Sequence, residues 1–151
     1  MPRRHRMLPV GGLVLVLAVV GCYSLAEPSL RPGDSRDILL ALDRRGVVVE
    51  SVLAGESACD DAGLVANAVR LTASTPSDPV GRDVFIYSFR ANSWDDSARA
   101  VEACQAAYAA DNPSADIVRV DVPTYRAFGP DWSNELTAAV QAALEEASKQ
   151  G

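Results

Sequence analysis

Histidine is all but missing from this chain. The only one is His5, near the start of 151 residues. Without histidine the body of the chain lacks the commonest general base and the commonest metal ligand. Ser-His-Asp and Cys-His nucleophile systems are excluded, as are most zinc sites. Chemistry built on carboxylates, tyrosine or lysine stays open. No Gly-rich phosphate loop, Gly-x-Ser-x-Gly elbow or His-Glu-x-x-His helix occurs. Cysteines number three, Cys22, Cys59 and Cys104, and none forms a Cys-x-x-Cys pair, which argues against thioredoxin-like chemistry. Basic clusters are absent after the first few residues. All 20 acidic residues follow Cys22, against 11 basic ones, a net charge of −9 for that part. A domain this acidic does not suit nucleic acid or anionic headgroups, because binding to phosphates rests on clustered Lys and Arg. No repeat and no second domain is visible.

What is present begins at the N-terminus. Arg3, Arg4 and Arg6 precede the uncharged run Met7 to Ala26, which contains Leu13-Val14-Leu15-Val16-Leu17-Ala18-Val19-Val20. A charged start, an apolar core and a small residue before a cysteine form the pattern of a secretory leader. Val19-Val20-Gly21-Cys22 resembles the lipobox of bacterial lipoproteins, with Val19 in place of the usual Leu and the bulkier Val20 in place of a small residue. That resemblance covers residues 1–22 only. It implies a signal peptide over residues 1–21, cleavage before Cys22 and diacylation of the Cys22 thiol. The alternatives are an uncleaved signal anchor, since the run is long enough to span a bilayer as a helix, and simple cleavage with release. With the basic flank left in the cytoplasm, all three place the rest of the chain outside it. The expected location is the extracytoplasmic face of a bacterial envelope membrane, reached through a lipid anchor or an uncleaved helix.

Residues 22–33, with Pro28 and Pro32, read as a tether, and residues 34–150 as one domain. Helix is expected from Asp34 or Ser35 to about Arg45, burying Ile38, Leu39 and Leu42. Arg44 and Arg45 suit its C-terminal dipole, and Gly46 suits the position after it, where a positive φ is needed. Val47 to Leu53 reads as a strand, Ala54 to Gly63 as a polar loop, and Leu64 to Ala73 as a second strand. Turn residues from Thr75 to Gly81 are expected to close an antiparallel pair with Asp83 to Arg90. In that third strand Phe85, Tyr87 and Phe89 alternate with Val84 and Ile86, as in a central strand covered on both faces. Ser93-x-x-Asp96 fits a capping box for a helix to about Ala110, whose inward stripe is Trp94, Ala98, Val101, Cys104 and Tyr108. Ile117 to Val122 is the fourth strand. Pro130 and Asp131 open a last helix with the stripe Trp132, Leu136, Val140 and Leu144. The order is αβββαβα. The crossover through the second helix predicts parallel third and fourth strands. The fold class expected is α+β: a two-layer sandwich with a mixed four-stranded sheet and helices mainly on one face.

If Cys22 is acylated, Cys59 and Cys104 remain as an even pair in an oxidising compartment, and a disulfide is expected between them. It would close a loop of about 46 residues, worth roughly 4 kcal/mol in the chain-entropy model. The alternative is two unpaired core cysteines. Other chemistry-bearing groups are sparse. Asp60-Asp61 and Asp95-Asp96 lack calcium-loop spacing, and surface acids explain both pairs. Tyr125 and Arg126, in Tyr125-Arg126-Ala127-Phe128-Gly129, are the candidate ligand-binding residues, through stacking and a cation; a hydrophobic lid is the plainer role. Catalytic residues, a metal site and a cofactor are not indicated. The functional expectation is a membrane-tethered extracytoplasmic lipoprotein domain that binds a partner, such as an envelope protein, or supports an envelope structure without catalysis. The alternatives are a cell-surface hydrolase using carboxylates and an accessory subunit of an envelope complex.

Overall fold

The computed structural model describes residues 35–90 and 93–150. The expected signal peptide over residues 1–21, Cys22, the expected tether over residues 22–33 and Asp34 lie outside the described residues. The elements, in order, are α1 (Ser35–Asp43), β1 (Val48–Ala54), α2 (Ala62–Val65), β2 (Ala68–Thr75), β3 (Asp78–Ser88), α3 (Trp94–Asp111), β4 (Ile117–Val122), β5 (Tyr125–Pro130) and α4 (Asn134–Ser148). The five strands form one sheet in the order β1-β2-β3-β5-β4, with every neighbouring pair antiparallel. The fold is α+β.

Three of the expectations about architecture change. The sheet has five strands rather than four, because Tyr125–Pro130 is a strand and not a lid over the core. It follows β4 through a two-residue connection, with Val122 paired to Tyr125. Pro123 leads that turn, and Thr124 takes φ 69°. A positive φ at the second turn position normally calls for Gly or Asn, so Thr hides the hairpin from the sequence. The sheet is antiparallel rather than mixed, because β5 inserts between β3 and β4. Those two strands do run parallel, as the crossover demands, but they are not neighbours. Finally, helices cover both faces. Helices α1 and α4 pack on one side through Ile38, Leu42, Leu136, Val140 and Leu144, against Leu71, Val84, Ile86 and Val120. On the other side, α2 and α3 supply Leu64, Val101 and Cys104 against Phe85, Tyr87, Phe89 and Phe128. The alternation in β3 divides its side chains between these two clusters, as its central place requires.

Local chemistry explains the element ends. Gly46 ends α1 with φ 76°, the left-handed conformation glycine adopts without a Cβ penalty. Arg45 donates to the Ala41 carbonyl at 2.6 Å, and Arg44 and Arg45 both pair with Glu146, tying α1 to α4. Strand β2 starts four residues later than expected. Asp61 accepts from the Gly63 and Leu64 amides and caps the single turn of α2. The capping box at Ser93 does not form; its hydroxyl donates instead to the Arg90 carbonyl at 3.1 Å. Helix α4 starts after Ser133, whose hydroxyl accepts from the Leu136 amide at 3.1 Å. Among the described residues no helix is long and apolar enough to cross a membrane.

Candidate functional site

Beneath α3 lies the disulfide between Cys59 and Cys104, with Cα atoms 5.6 Å apart. It ties the loop after β1 to the buried face of α3. Tyr87, fully buried near the C-terminal end of β3, reaches the same place. Its phenolic oxygen accepts from the Ala58 amide at 3.0 Å and lies 3.1 Å from the Ser57 hydroxyl. Burial pushes the Tyr87 phenol above its ordinary range, more strongly than the hydrogen bonds from Ser57 and Ala58 pull it down. Phe85, Tyr87 and Phe89 are all buried, so the aromatic row is core. Phe128 lies between Phe85 and Tyr87, at ring-centroid distances of 5.6 and 5.8 Å.

Tyr125 and Arg126 are adjacent on β5 and therefore point to opposite faces of the sheet. Tyr125 is fully buried in the α1/α4 cluster. Arg126 lies under α3, donating to the Ala98 carbonyl at 2.7 Å and pairing with Glu102 and Asp121. The two do not share a surface. What they do is structural: Tyr125 fills one cluster, and Arg126 fixes β5 to α3 and β4.

The acidic pairs sit elsewhere. Asp61 and Asp96 border one open groove of about 470 Å³, floored by Leu64, Phe89 and Ala100, with Arg90 on its rim. Both acids are exposed. The Asp61 carboxylate is held by two backbone amides, and the Asp96 carboxylate by Arg99 at 2.7 Å. Neither is desolvated, the condition that fits a carboxyl for general-acid work. Asp60 and Asp95 are exposed as well. Among the described residues no group of three or more His, Cys, Asp and Glu side chains is placed to hold a metal ion.

One feature escaped sequence reasoning. Strand β1 lies at the edge of the sheet, and Val48, Val52 and Leu53 are 58, 43 and 41 % exposed. Beside it a groove of about 450 Å³ runs between β1 and α1, lined by Leu39, Asp43, Val49 and Val52. The run Val47-Val48-Val49 marks a strand by composition, but an edge strand and a buried one share that signature. On the open face next to β1, Arg70 is neutralised by Asp83 and Glu56, at 3.1 Å each, and lies over the Phe85 ring. Comparison of the chain with protein-family models, with curated proteins and with solved structures finds no match.

Proposed function

We propose that this chain is an extracytoplasmic domain held at a bacterial envelope membrane through Cys22, and that it works by binding or by supporting an envelope structure rather than by catalysis. The observation that supports this most is the disulfide. Disulfides persist in oxidising compartments and are rare where thiols are kept reduced. The paired Cys59 and Cys104 agree with export, and they leave Cys22 as the one cysteine for acylation. The leader pattern at residues 1–22 supplies the anchor. The binding part of the reading rests on the exposed apolar edge of β1 and on the Asp61/Asp96 groove. The hydrolase alternative has the shared groove of Asp61 and Asp96 in its favour, but the exposure and structural engagement of both acids weigh against it. The test is metabolic labelling of the full chain with a fatty acid. Label is expected on the natural chain and is expected to vanish in Cys22→Ser; label that persists in Cys22→Ser overturns the anchor.

A further inference from the structure

Natural sheets blunt their edges with lysine, proline, bulges or short strands, because an open edge is a template for another strand. The two edges of this sheet differ. Strand β4 carries Arg119 and Asp121, paired at 2.8 Å, on its outer positions, and its valines turn inward. Strand β1 has one bulge, at Glu50; its other polar side chain, Ser51, hydrogen-bonds to Thr72 of β2 at 2.9 Å, and the remaining positions are apolar. The Glu50 carboxylate does not guard the edge, since it lies over Gly81, 3.1 Å from where a Cβ would stand.

The bulge sets which side chains share a face. Val49 pairs with Ala73, and Val52 with Leu71, so both valines lie on the α1 side. Val48 and Leu53 lie on the opposite face. An antiparallel strand added at this edge matches face to face when Val49 meets a valine like Val52, and Val48 meets a residue like Leu53. A second β1 provides both pairs, and each occurs twice across a two-fold axis.

Helix α1 is complementary to itself in the same arrangement. Arg36, Leu39 and Asp43 recur at intervals of three and four residues on one stripe, the one facing the groove. Neither the Arg36 nor the Asp43 side chain has an ion-pair partner among the described residues. Two α1 helices brought together antiparallel set Arg36 of one copy beside Asp43 of the other, again twice.

We infer that the β1 edge and the flanking α1 stripe form an isologous interface with a second copy of this chain, in the register Val49 to Val52 and Val48 to Leu53 of the partner copy. The inference is independent of the anchor reading. The strip is about 24 Å long at 3.4 Å per residue. It is narrower than the roughly 800 Å² per partner of a standard interface, so the dimer is weak and forms at raised local concentration.

The test is oxidative cross-linking of the purified full chain in detergent. The chain bearing both Val48→Cys and Leu53→Cys is expected to form a covalent dimer. Each single variant stays monomeric, because in this register neither position faces its own copy. Asp43→Arg is expected to cut cross-linking about tenfold, a change of about 1.4 kcal/mol. Adding Arg36→Asp to it restores the yield. Absence of cross-linking in the double-cysteine chain overturns the inference. So does equal cross-linking of the single variants, which marks random collision, or failure of the charge swap to restore pairing. Acyl labelling at Cys22 is read separately, so the two readings fail independently.

Discussion

Two residues near the β4–β5 hairpin show how closely the backbone is constrained. Gly129 lies where a Cβ would stand 2.0 Å from the Asp83 carbonyl oxygen and 2.5 Å from the Trp132 ring nitrogen. That gap lets Trp132 donate to the same carbonyl at 2.8 Å, locking the start of α4 onto β3. Gly129→Ala forces backbone apart from backbone and is expected to cost about 3 kcal/mol, read as a lower urea midpoint. Thr124 presents the opposite case. It is β-branched, held at φ 69°, and its buried hydroxyl has no hydrogen-bond partner among the described residues. Thr124→Gly relieves both penalties and is expected to stabilise the fold by about 1 kcal/mol. A lower urea midpoint in that variant would show that Thr124 packing outweighs its strain.

At the scale of elements, the disulfide does what packing alone does poorly. The loop from Gly55 to Asp61 carries few buried apolar side chains, and its attachment rests on Cys59, on Ser57 and the Ala58 amide at Tyr87, on the Glu56–Arg70 ion pair and on the Gly55 amide at the Ala68 carbonyl. The cross-link spans a sequence separation of 45, for which the chain-entropy model gives roughly 4 kcal/mol. That is a large share of a small domain's stability. Replacing Cys59 and Cys104 together by Ala is expected to lower stability by about that amount. Hydrogen exchange should rise first in the loop and in α2, then beneath α3. The denatured, unreduced natural chain is expected to show no free thiol at either position.

For the molecule as a whole, titration bounds the stable range at both ends. Arg45 hydrogen-bonds the ionised carboxylate of Glu146 and lowers its pKa from the ordinary 4.5; Ser77 does the same for Glu135. Each carboxyl takes a proton less readily folded than unfolded. The stability they contribute is present above pH 4.5 and is lost as the pH falls through their folded values. Tyr87 works in the other direction. Burial raises its phenol above 10.0, so its contribution is complete below that pH and is lost as the pH climbs through the folded value. Urea midpoints are therefore expected to form a plateau with an acid and an alkaline limb. Glu146→Gln should flatten the acid limb. Tyr87→Phe should flatten the alkaline limb while lowering the plateau, because the Ala58 amide loses its acceptor.

Much of this was legible from residues alone. The β-branched run at Val47, the two-faced alternation of Val84 to Phe89, the helix after Ser93, the last helix with its stripe Leu136, Val140 and Leu144 (though it opens after Ser133 rather than at Pro130 and Asp131) and the pairing of Cys59 with Cys104 all follow from local pattern or parity. Local pattern carries them because a strand's period of two and a helix's period of 3.6 show in any short window. The β4–β5 hairpin was not legible, because Thr124 occupies a position where glycine would have announced the turn. Nor were the places of Tyr125 and Arg126 on opposite faces, or the exposure of β1. Insertion of β5 between β3 and β4, helices on both faces and the open edge at Val48 to Ala54 depend on which strands become neighbours. That choice is made by long-range packing between segments far apart in the chain, and no window of sequence contains it.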